Sequence, residues 1–220
     1  MPLIELNHVI EHGMVTYQGL PAPVICDYWS REESRARYAA GTEFQIGRID
    51  MVANTGTYLD TPFHGYADGA DLSEVPLAAV AALPGVVIVS AATQIDADAF
   101  AGIDVRGCAV LIRTGWDRHW RTKAYFRGHP FVTATAAEAL RDGGAALVGI
   151  DSHNIDDVSG DTRPVHSILL AAGIPIVEHL TNLAALPPRG FTFHAAPPRV
   201  RGMGTFPVRA FAQTPTAPAQ

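Results

Sequence analysis

Positive charge is scarce and scattered in this chain. Its 220 residues carry 16 Lys and Arg against 22 Asp and Glu, for a net charge of −6. No basic cluster occurs, so nucleic acid and membrane surfaces are excluded as expected partners. Cysteine is nearly absent. Cys26 and Cys108 show no CxxC spacing and read as free, buried thiols, not as a disulfide framework. The longest apolar runs fall far short of a membrane span. The opening Met1-Pro-Leu-Ile-Glu-Leu lacks a charged segment leading into an apolar one. A cytoplasmic location is the expectation. No GxGxxG follows a strand, no Ser or Cys sits in a nucleophile-elbow context, and no internal repeat is found.

What is present suits a globular protein. Hydrophobic residues make up 48% of the chain and charged residues 17%. That supports one domain with a good-sized core, or at most two small ones. The expected domain covers residues 1–213, and the Pro-rich tail from Thr214 to Gln220 reads as disordered. Leu3 to Ile10 and Phe44 to Ala53 read as strands, and Ser30 to Gly41 as a short exposed helix or a mobile flap. Pro76 to Leu83 reads as an Ala-rich helix stopped by Pro84-Gly85. Val86–Val89, Cys108–Ile112 and Ala145–Ile150 are continuous apolar runs, the pattern of strands covered on both faces. Thr135-Ala-Ala-Glu138 signals the start of a helix that ends at Gly143-Gly144. Pro164 opens another helix, which runs to Ala172, and Ile174 to Val177 is the next strand. Apolar strands alternating with short helices predict an α/β fold with a parallel or mixed sheet.

Chemistry concentrates in two stretches. In the first, Asn54-Thr-Gly-Thr-Tyr58-Leu-Asp60-Thr-Pro-Phe-His64, Pro62 stiffens the segment between a carboxylate and an imidazole, and the reading places both on an extended segment. Both side chains are metal-ligand types and both can move protons. In the second, Asp151 and Glu178 close two strands, and His166 lies in the first turn of the helix between them. Ligands in open α/β sheets gather at such strand ends. His153 and His179 stand beside these segments and read as supports for the ligands. His8, His12, His119, His129 and His194 read as surface or satisfied polar residues. Trp116 and Trp120 are assigned to a substrate pocket, with a half-buried loop anchor as the alternative.

The first stretch resembles the signature of the cyclase family, the kynurenine formamidase-like and isatin hydrolase-like metal-dependent hydrolases, His-x-Gly-Thr-His-x-Asp-x-Pro-x-His. Gly56, Thr57, Asp60, Pro62 and His64 match, while Asn54 and Tyr58 stand where the first two histidines belong. Ile4-Glu-Leu-Asn-His8, the Gly13–Gly19 segment, the Gly-Ile-Asp151 loop, His166, Glu178 and Gly204-Thr-Phe-Pro-Val-Arg-Ala also resemble the family. The likeness runs from about Leu3 to Ala212.

The resemblance implies a barrel-like mixed β-sheet core with flanking helices, of the swivelling β/α/β type. It implies Asp60, His64, His166 and Glu178 as metal ligands. Asn and Tyr are weaker ligands than imidazole, and two carboxylates balance one divalent ion, so one Zn²⁺ or Mn²⁺ per chain is expected. His64 is either a ligand or the base, Asp60 takes part in catalysis, Tyr58 donates to a developing oxyanion, and Asn54 orients substrate. The expected activity is metal-dependent hydrolysis of a C–N amide bond in a small carbonyl compound. A cyclase or dehydratase on the same scaffold, or a metal-free binding protein, are the alternatives. A homodimer or homotetramer is expected from the family, and the aromatic loops at Tyr17, Tyr28 and Trp29 suit a subunit interface.

Overall fold

The computed structural model describes residues 1–215. Strand β1 (Leu3–Glu5) is shorter than the expected Leu3–Ile10. β2 (Val24–Trp29) and β3 (Ile46–Asp50) form a separate two-stranded antiparallel ribbon around helix α1 (Arg31–Arg35). Ser30 and Glu33 make a reciprocal capping box that starts α1, which is only five residues long. β4 (Tyr58–Asp60) enters the main sheet and leads directly into a 3₁₀ turn at Pro62–His64. Asp60 and His64 therefore do not share the extended segment read from the sequence.

The next two expectations are also corrected. Pro76–Leu83 holds only a 3₁₀ turn at Leu77–Ala79, and β5 (Leu83–Val89) runs straight through Pro84-Gly85. The Phe191 ring lies where a Gly85 side chain would be, 2.0 Å from a built Cβ. The glycine therefore admits an aromatic from the paired strand and does not break the chain. After β6 (Gln94–Ile95), β7 (Ala109–Arg113) and β8 (Phe131–Val132), helix α2 (Ala134–Asp142) begins at Thr133, not at Thr135. Thr133 Oγ1 accepts from the Ala136 amide, whereas the Thr135 hydroxyl is committed to Asp96. β9 (Leu147–Ile150), α3 (Pro164–Ala171), β10 (Ile176–Glu178), β11 (Arg189–His194), β12 (Thr205–Pro207) and β13 (Phe211–Gln213) complete the chain. The thiols are not buried: Cys26 is exposed on β2 and Cys108 is half-buried. Thr214, the first residue of the expected disordered tail, donates its amide to Pro2. Residues 216–220 of that tail lie outside the described residues.

One nine-stranded mixed sheet, curled as a half-barrel, has the order β1-β13-β11-β5-β7-β9-β10-β4-β12. β5, β7, β9 and β10 are parallel, as their continuous apolar sequences predict, and antiparallel strands extend both edges. Alternate residues feed two cores. Val86, Ile88, Val110, Ile112, Val148, Ile150 and Ile176 pack under α2 and α3. Leu59, Val87, Leu111, Leu147 and Val177 pack on the opposite face with Phe191 and Phe193. Leu59 thus points away from the helices, and its neighbours Tyr58 and Asp60 point toward them.

Candidate active site

Sheet register assembles the site. β4 lies between β10 and β12, with Tyr58 opposite Glu178 and Asp60 opposite Thr205. Directly opposed residues share a face. The Tyr58 phenol accordingly donates to Glu178 Oε2, and the Thr205 hydroxyl to Asp60 Oδ1. Helix α3 lies over this face and supplies His166 from its first turn. Gly204 passes close beneath the 3₁₀ turn: a Cβ there would lie 2.3 Å from the His64 amide nitrogen. The Gly204 carbonyl accepts from the Thr61 amide at 2.7 Å, which fixes the turn that carries His64.

His166 is aimed by Asp156. The Asp156 carboxylate accepts from the Val165 and His166 amides, at 2.8 and 3.0 Å, and from His166 Nδ1 at 2.6 Å. Nε2 therefore faces the site, 3.7 Å from Asp60 Oδ2 and 3.7 Å from Glu178 Oε1. Asp60, Asp156 and Glu178 are all fully buried. Burial alone would lower the His166 pKa. The surrounding Asp156, Asp60 and Glu178 carboxylates more than offset it and raise it to about 10. Burial, with Asp60 adding repulsion, raises Glu178.

A divalent metal fits this geometry. Asp60 Oδ2 is buried and has no hydrogen-bond partner. Asp60, His64 and His166 offer ligand atoms all within 4.8 Å of one another. Three buried carboxylates around one imidazole require positive charge, and a carboxylate with imidazoles is a transition-metal donor set. Glu178 stands outside that mutual set. Its Oε1 accepts from the Ile155 amide at 2.7 Å, and its Oε2 from Tyr58, with Tyr17 and Asn154 at 3.2 and 3.4 Å.

The other expected site residues divide. Asn54 and Tyr58 line a cavity of about 530 Å³, together with Asp60, His64, His166 and Glu178. Tyr58 has its hydroxyl proton committed to Glu178, and burial, followed by the Glu178 charge, raises its pKa well above 10. It therefore supports Glu178 instead of offering a free donor to an oxyanion. Trp116 does not line the cavity. Its indole donates to the Tyr125 carbonyl at 3.0 Å, which makes it an anchor of the loop after β7. Asp151 ties down the same loop by accepting from the Thr114 amide and hydroxyl and the Gly115 amide. Burial raises its pKa to about 6.

Thr205, Asp156 and Asn154 were not singled out from the sequence, and Tyr17, expected at a subunit interface, instead lines the cavity with its hydroxyl against Glu178, Tyr58 and Asn154. Thr205 and Tyr17 lie inside the family-like segments, and Asp156 closes the loop before α3. Only the register and the helix cap show what they touch. His129, His153 and His179 are buried; of the two readings for His129 the surface one falls, and its Nδ1 is paired with the Pro130 carbonyl at 3.1 Å while its Nε2 has no partner.

The fold and site thus define a metal-binding α/β protein with a small-molecule cavity at its strand ends. The profile of the Cyclase family matches residues 4–157, and the chain belongs to that family. It is 30% identical over 212 residues to a kynurenine formamidase of Geobacillus thermodenitrificans (strain NG80-2), across 95% of this chain and 96% of the relative. A solved structure described as a potential metal-dependent hydrolase with cyclase activity matches at a TM-score of 0.79 and 26% identity, covering 97% of this chain and 99% of that one. Isatin hydrolase A from Labrenzia aggregata shares the fold, with a TM-score of 0.80 at 22% identity over 97% and 93% of the two chains. No helix among the described residues is long and apolar enough to cross a membrane.

Proposed function

We propose that this chain is a metal-dependent hydrolase of a C–N amide bond, formamide or cyclic amide, in a small carbonyl compound. The observation that carries the reading is the buried, partnerless Asp60 Oδ2, 3.7 Å from His166 Nε2. Asp60 and His166 would hold one Zn²⁺ or Mn²⁺ per chain, with Glu178 completing the set where His64 acts as the base and His64 completing it otherwise, because Asn54 and Tyr58 leave no second set of strong ligands. When bound, that ion supplies positive charge that polarises a carbonyl oxygen and lowers the pKa of water.

His64 takes the proton. The Thr205 hydroxyl proton points to Asp60 Oδ1, so Thr205 Oγ1 accepts from His64 Nδ1–H at 2.8 Å. That hydrogen bond occupies Nδ1, and the ring lies at the exposed rim of the cavity, where Nε2 would take the proton. His64 removes a proton from the attacking water as the new C–O bond forms. It then returns the proton to the leaving nitrogen as the C–N bond breaks, giving a carboxylic acid and an amine. Tyr58 and the Ile155 amide hold Glu178 in place, Asp156 holds His166, and Asn54 contacts the substrate.

Relatives named kynurenine formamidase and the buried ligand geometry support hydrolysis over a metal-free binding role. The domain is taken to span residues 1–213. A homodimer or homotetramer is proposed on the β2–β3 ribbon, where Val24, Ile25, Tyr28, Ile46 and Ile49 are exposed. Elemental analysis of the purified protein, followed by formyl-amide and cyclic-amide hydrolysis assays, tests the activity. Two tightly held ions per chain, or no hydrolysis by the metal-loaded protein, would overturn it. Light scattering at micromolar concentration tests the assembly, and a monomer mass would contradict it.

A further inference from the structure

The cavity above the metal ligands has an acidic floor, because Asp60 and Glu178 are both buried beneath it. Among the described residues lining it, Arg163 is the one Lys or Arg side chain. Arg163 is the N-cap of α3, and His166 and Ser167 follow it at three and four residues. That spacing puts all three on one face of the first turn, and all three line the cavity.

The guanidinium is held in place but not neutralised. Its Nη1 donates to the Thr162, Gly160 and Asp157 carbonyls at 2.6, 2.9 and 3.3 Å. Among the described residues it forms no ion pair, and Nε and Nη2 have no protein acceptor. A planar fork anchored at one nitrogen is pre-ordered for a carboxylate at the others, with little side-chain entropy left to lose. An acidic floor repels an anionic substituent, so a substrate bearing one gains most by presenting it to this wall.

We infer that Arg163 is a specificity-determining residue that binds a carboxylate on the substrate, so that the amide cleaved belongs to an anionic compound. This rests on the hydrolase reading and narrows its substrate class.

The test compares 3-formamidobenzoate with formanilide, its neutral counterpart, using metal-loaded wild type, Arg163→Met and Arg163→Lys. Wild type is expected to prefer the carboxylate, and Arg163→Met to lower the ratio of the two kcat/KM values by about 10–100-fold. Arg163→Lys, which keeps the charge without the fork, should fall between them. Calorimetry with benzoate and benzamide gives a readout independent of turnover: benzoate should bind wild type and weaken about tenfold or more in Arg163→Met, with benzamide moved less. If neither formamide is cleaved, the formamide form of the hydrolase reading fails, and the benzoate result still decides the role of Arg163. A ratio and a benzoate affinity unmoved in Arg163→Met, or benzoate that fails to bind wild type at millimolar concentration, would overturn the inference.

Discussion

Two groups of buried imidazole meet at Tyr58, and they carry opposite electrostatics. On one side, His166 is surrounded by Asp156, Asp60 and Glu178, and its pKa rises to about 10. On the other, His153 and His179 lie among aromatic rings. His153 is 4.6 Å from Tyr17 and 5.3 Å from Phe126, and His179 is 5.2 Å from Tyr58 and 5.5 Å from Trp120, between ring centroids. Burial holds the His153 pKa down to about 3 and His179 well below its ordinary value. His8, stacked at 4.0 Å on Trp120, is held to about 4, again by burial first. The side chain is the same in both groups, and the neighbours set its charge. Carboxylates make a buried site that demands a cation, whereas burial with no carboxylate in contact makes one that excludes it. The aromatic group packs against Tyr58, with His179 and Tyr17 5.2 and 6.5 Å from its ring.

The contrast breaks most completely at the acidic centre. Asp60→Ala or Glu178→Ala should remove the bound metal and the hydrolysis together, read by elemental analysis and turnover on the same samples. His64→Ala separates the two functions: metal should stay while turnover falls by roughly 10²–10⁴-fold. Loss of metal from that variant would make His64 a ligand. Asp156→Asn keeps one of the two oxygens that accept from the α3 amides and removes the charge that orients His166. Metal affinity should drop by roughly 10–100-fold, measured by competition with a chelator.

The aromatic side responds in stability instead. His8 and His153 have folded pKa values depressed below the unfolded value of about 6.5, so the unfolded chain binds more protons. Their contribution is fully present above about pH 6.5 and is lost as pH falls toward the folded values. Between pH 7 and pH 5 each should cost about 1–2 kcal/mol, measured from denaturation midpoints in urea. Asp151 and His166, with raised pKa values, run the other way over this interval, so the effect is read as the difference between wild type and His8→Gln, and an identical pH dependence in that variant would show the His8 ring already charged in the fold. The smallest effect is Tyr125→Phe, which takes the hydroxyl away from His179 Nδ1, its partner at 2.8 Å. That should cost about 1 kcal/mol of stability and leave metal content and turnover unchanged.

Much of the fold was readable from local pattern. The continuous apolar runs at Val86–Val89, Cys108–Ile112 and Ala145–Ile150 mark the parallel strands, because a strand covered on both faces has no polar side. Pro164 marks the start of α3, since a missing amide hydrogen costs nothing in a first turn. Gly85 misled because its signal was the absence of a side chain. A strand that admits Phe191 and a turn that needs freedom look alike when the partner strand is unknown. Thr135-Ala-Ala-Glu138 misled because Thr133, two residues earlier, takes the cap: its Oγ1 accepts from the Ala136 amide while its own proton goes to Asp96.

The residue types of the site were set by the chain itself: Asp60, His64, His166 and Glu178 are the acids and imidazoles available at the expected strand ends and helix start, with Asn54 and Tyr58 in place of two further histidines. Tertiary structure alone decided their roles. Pairing of β4 with β10 and β12 put Tyr58 on Glu178 and Thr205 on Asp60. Those hydrogen bonds turned Tyr58 into a support and fixed the proton on His64 Nδ1. The Asp156 cap fixed which nitrogen of His166 faces inward. The loop carbonyls from Asp157 to Thr162 held Arg163 on the cavity wall, and Trp116 was turned away to anchor a loop. The physical reason is that residue type limits the chemistry a side chain can do, but a proton has one acceptor at a time, and that acceptor is chosen by neighbours far away in sequence.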